Sequence, residues 1–131
     1  QEQSIAGVRI LLVEDNELNM EIAEFLLENE NAVITKAWNG KEAADIFQKE
    51  PEGSFDVILM DIMMPVMDGL TAARTIRAMY RRDAKTIPII AMTANAFDED
   101  RKKALKCGMD GFMSKPIVME ELIRELQNNM K

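Results

Sequence analysis

Five short apolar runs, at residues 8–13, 33–37, 55–60, 87–92 and 111–114, alternate with five stretches of helical periodicity, joined by short polar links. That alternation constrains the fold more than any single residue does. A strand, a helix and a second parallel strand close as a right-handed crossover, so five such units predict a parallel sheet with helices on both faces. Val57-Ile58-Leu59-Met60 is apolar at consecutive positions, as a strand covered on both sides requires. Leu18, Ile22, Phe25 and Leu26 follow helical spacing and predict an amphipathic first helix to about Asn29. Asn39 is placed to cap the second helix, with Glu42 three residues on in a capping-box relation. Leu70, Ala73, Ile76 and Tyr80 stripe a third helix, and a fourth over 98–107 has Gly108 at its C′ position. Met119, Leu122, Ile123, Leu126 and Met130 stripe the last.

Of the common doubly wound orders, five strands suit the flavodoxin-like (βα)5 arrangement, 2-1-3-4-5, in three α/β/α layers. That order sets the first strand beside the third. Glu14 and Asp15 follow the first run and Asp61 the third, while Thr93 ends the fourth and Lys115 the fifth. Ligands of parallel α/β sheets bind at this carboxyl edge. Each residue alone has an ordinary explanation. Glu14-Asp15 is a helix-start acidic pair favoured by the macrodipole, Asp61 a polar strand terminator, Thr93 a turn hydroxyl and Lys115 a surface lysine. Their convergence at neighbouring strand ends is what points to a site.

At 131 residues the chain is expected to be one domain, with a core over about 8–130 and residues 1–7 as an N-terminal flank. A net charge of −7 argues against nucleic-acid binding, and Arg81-Arg82 with Lys85 reads as a solvated helix end. No apolar run approaches the ~18 residues needed to span a bilayer, so no membrane contact is expected. Cys107 stands alone, which fits a reducing cytoplasm. The absence of His excludes Cys–His nucleophiles, His metal sites and phosphoryl storage on imidazole, so any phosphoryl donor comes from elsewhere. The opening Gln1-Glu2-Gln3-Ser4, without Met, is expected of a piece cut from a longer polypeptide, and no DNA-binding or catalytic effector is expected within this piece.

Three clustered carboxylates either rise in pKa or take a cation. An all-oxygen site suits Mg²⁺, which would polarise an incoming phosphoryl group. Asp61 can then act as a carboxylate nucleophile and form an aspartyl phosphate. Lys115 supplies fixed positive charge for the phosphoryl oxygens, and the Thr93 hydroxyl can donate to one of them.

Over residues 8–130 the chain resembles the receiver domain of two-component response regulators, most of all those of hybrid sensor histidine kinases. Four segments carry the likeness: Val13-Glu14-Asp15-Asn16; Met60-Asp61-Ile62-Met63-Met64-Pro65-Val66-Met67-Asp68-Gly69; Ala91-Met92-Thr93-Ala94-Asn95; and Gly111-Phe112-Met113-Ser114-Lys115-Pro116. The resemblance implies that Asp61 is the phosphoacceptor, with Thr93 and Lys115 on the phosphoryl group. It implies Mg²⁺ (Mn²⁺ able to substitute) bound by Asp15, Asp61 and the Met63 carbonyl, with Glu14 acting through water. Phe112 stands at the switch aromatic, moving inward with Thr93, although a core aromatic is the plain alternative. Gly69 and Pro116 are structural, the latter after a cis Lys115–Pro116 bond. Met63 and Asn95 flank the path of a hydrolytic water, and an apolar Met63 implies slow self-dephosphorylation. The donor would be a histidine kinase or histidine phosphotransfer domain, and a downstream partner would read the last two helices and fifth strand. The isolated domain is then no enzyme, beyond catalysing its own phosphorylation and dephosphorylation, and a hybrid histidine kinase is a candidate parent.

Three rival readings fit less well. A haloacid-dehalogenase-like phosphatase needs a second Asp two residues after its nucleophile, where this chain has Met63. A flavodoxin-like electron carrier needs a phosphate-binding loop after the first strand, where Glu14-Asp15 would repel FMN phosphate. A degenerate binding module would lack some site residue, and none is missing.

Overall fold

The computed structural model describes residues 5–62, 67–93, 98–115 and 117–129. In chain order these form β1 (Arg9–Val13), α1 (Glu17–Asn29), β2 (Val33–Ala37), α2 (Gly40–Lys49), β3 (Val57–Asp61), α3 (Gly69–Arg77), α4 (Arg82–Thr86), β4 (Ile89–Thr93), α5 (Asp98–Lys106), β5 (Gly111–Ser114) and α6 (Met119–Asn129). All strands are parallel, in the order β2-β1-β3-β4-β5 expected from the sequence. Among the described residues no helix is long and apolar enough to cross a membrane.

The period of two along each strand divides the interior into two cores. Leu11 and Val13 of β1, with Ile58 and Met60 of β3, meet Phe47 of α2, Ala72 and Ile76 of α3, and Ala104 of α5. Ile10, Leu12, Val57 and Leu59 point the other way, onto Met20 and Leu27 of α1 and Leu122 and Leu126 of α6. Strands covered on both faces are apolar until they reach the carboxyl edge, and β3 and β4, which end in Asp61 and Thr93, have no exposed residue.

Three sequence expectations change in the structure. The first concerns α1, which seats Met20, Ala23 and Leu27 on the sheet. Of the stripe expected from the sequence, Leu18, Ile22 and Phe25 are 63%, 47% and 69% exposed, and Leu26 is half-buried. α1 is apolar on two adjoining stripes, and the one containing the small Ala23 packs on the strands.

The second is an additional short helix, α4, ahead of β4. α3 ends at Arg77, before Tyr80, which is fully exposed rather than part of a buried stripe. Arg81 accounts for the break. It donates to the Phe47, Gln48 and Glu50 carbonyls at the end of α2 and to both Asp83 oxygens, and it lies 4.5 Å over the Phe47 ring. Asp83 in turn accepts from the Gly53 amide at 2.9 Å. These contacts satisfy α2's terminal carbonyls but require the chain to leave the α3 axis. The third is the start of β3 at Val57, because Phe55 is used in packing and stacks on Phe47 at 6.4 Å.

The cap expectations hold closely. Asn39 accepts from the Glu42 amide at 2.9 Å, although Glu42 reaches back to the amide of Trp38, one residue before the cap. α5 closes in a Schellman motif, with Met109 N donating to Ala104 O at 3.0 Å and Gly108 N to Leu105 O at 3.1 Å. Gly108 has φ +95°, and a Cβ there would lie 2.9 Å from Cγ of Arg77. That arginine cannot yield easily, because it donates to the Gly108 and Ala84 carbonyls and to Asp110. Gly108→Ala is therefore expected to cost about 1–2 kcal/mol, read as a lower denaturant midpoint at unchanged slope.

Candidate functional site

Among the described residues, the buried polar or charged side chains are Glu14, Asp61 and Thr93, and all three stand at carboxyl ends of strands. Pairing of β1 with β3 in the register Val13↔Met60 brings Glu14 level with Asp61. Pairing of β4 with both β3 and β5 places Thr93 at the same edge, beside Ser114. The backbone carries the arrangement on to the next residue: Lys115 N donates to Thr93 O at 2.8 Å. The side chain of Lys115 then turns across the strand ends, its Nζ 2.6 Å from Glu14 Oε1 and 2.8 Å from Asp61 Oδ2.

Local structure fixes the rest. The other Glu14 oxygen accepts from the Asn16 amide at 3.2 Å, and Asn16 caps α1 by accepting from Asn19 N at 2.9 Å. Asp15 is exposed at the rim, and one carboxylate oxygen from each of Glu14, Asp15 and Asp61 lies within 4.8 Å of the others. On the far side Asp68 caps α3 by accepting from Thr71 N at 2.8 Å. Gly69 N donates to Ile62 O at 3.0 Å. A Cβ at Gly69 would overlap the Asp61 carbonyl oxygen and come within 3.0 Å of Ile62 Cα, so the helix start is pressed against the backbone carrying Asp61.

The electrostatics follow from burial shared among few charges. Burial pushes the Glu14 carboxyl above its ordinary range; the Lys115 hydrogen bond opposes this and the Asp61 charge adds to it. Burial alone would lower the Lys115 ammonium, but its hydrogen bonds to Asp61 and Glu14 and their charges outweigh that, and its pKa is raised.

Glu14, Asp15, Asp61 and Lys115 thus meet as expected, with Thr93 at the adjoining strand end. Phe112 lies on β5 opposite Ala91, half-buried against the core, with the Arg101 guanidinium 5.3 Å from its ring centroid and its amide donating to Glu125 Oε1. Met63, Asn95 and Pro116, with the peptide bond before it, lie outside the described residues, as does Met130. The sequence reading missed the apolar rim. A small cavity of about 60 Å³ beside the ion pair is lined by Ile22, Ala23, Met92 and Ile117 with Glu14, Asn19 and Lys115. Leu18 and Phe25 are exposed on the same stripe of α1 as Ile22. The signal available was a helix with more apolar residues than one buried stripe can use.

Lys115→Met leaves two buried carboxylates without their cation, at an expected cost of about 3 kcal/mol at pH 8. The native contribution of Lys115, whose pKa is raised on folding, is complete below the ordinary lysine range and fades only as pH rises through the folded value. In the variant, Glu14 takes up a proton as pH falls, so the deficit is expected to be smaller at pH 5 than at pH 8. Urea unfolding at both pH values measures it.

Residues 10–127 match the family described as Response regulator receiver domain. The chain is 37% identical over 115 residues to the Sensor protein GacS of Pseudomonas syringae, covering 87% of this chain and 12% of that protein. It is 40% identical over 111 residues to Hybrid signal transduction histidine kinase I of Dictyostelium discoideum, covering 83% and 6%. The chain therefore spans a small part of the length of these curated relatives. Among solved structures it is similar to the receiver domain of sensor histidine kinase PA1611 from Pseudomonas aeruginosa, with magnesium coordinated in the active site cleft. That match has TM-score 0.84 and 39% identity, and covers 95% of this chain and 98% of the other. It also resembles the Saccharomyces cerevisiae Ssk1 receiver crystallised with the histidine phosphotransfer protein Ypd1, with TM-score 0.83, 28% identity and coverage of 98% and 92%.

Proposed function

The chain belongs to the response regulator receiver family, and we propose that it takes a phosphoryl group from a phosphohistidine donor onto the Asp61 carboxylate. The observation carrying this reading is the Lys115 ammonium held between Asp61 and Glu14 at the buried strand ends. In the transfer, an Asp61 oxygen attacks phosphorus and a P–O bond forms as the P–N bond breaks. The departing imidazole keeps the electron pair and takes a proton. Lys115, already 2.8 Å from Asp61, follows the new charge, and the Thr93 hydroxyl donates to a phosphoryl oxygen.

The carboxylate set fits a hard divalent cation: three oxygen ligands within 4.8 Å, two on buried residues and one at the open rim. Asp15, Asp61 and the Met63 carbonyl would hold Mg²⁺ directly and Glu14 through water, with Mn²⁺ an alternative. When bound, the ion neutralises phosphoryl charge. The magnesium in the cleft of the PA1611 receiver supports this choice.

The altered site then biases the surface made by α5, β5 and α6, with Phe112 as the moving aromatic. On this reading the single domain turns over no substrate, and Met63 and Asn95 set the lifetime of its phosphorylated state. The hydrolase alternative is not supported, since the position of its second Asp is Met63. The apolar rim of Leu18, Ile22 and Phe25 is where the donor docks, with Ile22 on the cavity that Glu14 and Lys115 also line. The Ypd1 complex of the Ssk1 receiver supports a histidine phosphotransfer partner.

With Mg²⁺ and a small acyl-phosphate donor, intact mass is expected to show one labile phosphate on the native chain and none on Asp61→Asn. A native chain that stays unmodified overturns the reading. Paired Ile22→Ser and Phe25→Ser changes are expected to slow transfer from a phosphorylated histidine phosphotransfer protein at least about tenfold. This corresponds to a loss of about 1.4 kcal/mol of docking. Labelling by the acyl phosphate should be unchanged, and equal slowing with both donors would remove α1 from the donor interface.

A further inference from the structure

A second concave site lies away from the acidic edge, between α3 and α5. This groove of about 360 Å³ is lined by Asp68, Leu70, Thr71, Arg74, Lys103, Lys106 and Cys107. Its floor is the half-buried Leu70 and buried Cys107, and its walls carry three cations from two facing helices. None of Arg74, Lys103 and Lys106 has a carboxylate within 4.0 Å among the described residues. Arg77, one turn further along α3, is by contrast fully engaged with Gly108, Ala84 and Asp110. The groove holds one opposing charge, Asp68, whose Oδ1 already accepts from the Thr71 amide at the α3 cap.

The charge distribution along the chain is uneven in the same sense. Residues 69–107 contain nine Lys or Arg and four Asp or Glu, a net +5, in a chain whose total is −7; the rest therefore carries −12. A concave wall of one sign within a molecule of the other concentrates counter-ions at that wall. Cations placed only for solubility need no shared concavity, whereas these three face one hollow from two helices. Three cations facing one hollow are matched in charge by a chain of two phosphates more closely than by one.

We propose that the α3–α5 groove binds a small polyanion of the diphosphate type. Arg74 clamps one phosphoryl group from α3, where a guanidinium can donate two parallel hydrogen bonds, while Lys103 and Lys106 hold the next from α5. The Thr71 hydroxyl provides a further donor. The site is separate from the phosphoacceptor edge and needs no divalent ion.

The test is a titration of the full chain at low ionic strength without divalent cations, followed by backbone amide shifts, with inorganic pyrophosphate in one arm and ADP in the other. Saturable shifts confined to residues 68–74 and 103–107 are expected. Arg74→Glu with Lys106→Glu, both at exposed helix positions, should weaken the affinity at least about tenfold while leaving Asp61 labelling unchanged. Binding of pyrophosphate and ADP alike assigns the phosphates alone as the recognised group. Tighter ADP binding adds the nucleoside on the Leu70–Cys107 floor. Shifts centred on Lys115, shifts spread over all basic residues, or an affinity untouched by the double charge reversal would each overturn the proposal.

Discussion

Two carboxylates are buried at the edge of this sheet, and the Lys115 ammonium bridges them. Glu14 and Asp61 are 3% and 4% exposed, and Lys115 touches both. A buried carboxylate without a partner would give up its charge, and two side by side would do so sooner. Lys115 reaches them because its backbone continues the β4–β5 ladder past its last paired residues, so the sheet itself sets where the cation stands. The arrangement still carries an excess of negative charge once Asp15 is included. A site balanced this way accepts a hard cation readily, and each new phosphoryl charge redistributes the hold on Lys115.

Much of this was legible in the sequence because parallel α/β folds convert chain order into spatial order with few choices. Continuous apolar runs mark doubly covered strands, and the residue where each run stops must lie at the carboxyl edge. Glu14, Asp61, Thr93 and Lys115 could be placed without coordinates for that reason. What the pattern could not decide was rotation and local competition. In α1 two apolar stripes compete for one sheet face, and close packing through Ala23 selects the stripe that hides Met20 and Leu27. The end of α3 is decided by Arg81, which finds more carbonyl acceptors at α2 than continued helix would offer it. Such long-range hydrogen bonds leave no periodic trace, so Tyr80 looked like a core residue and α4 went unseen.

The same competition explains why the surface around the site is unusual. Placing Leu18, Ile22 and Phe25 in water sacrifices apolar burial that the alternative rotation of α1 would have recovered. Sequences retain an exposed apolar stripe of this kind when another surface covers it for part of the time. Its position next to the ion pair means that a docked donor would also screen the carboxylates from solvent and sharpen their electrostatics.

Gly69 adds a mechanical asymmetry to the acidic edge. With the first residue of α3 in van der Waals contact with the peptide carrying Asp61, and its amide bonded to Ile62, that helix start and strand end form one rigid corner. The absence of one methyl group is therefore what lets α3 begin against the acidic edge.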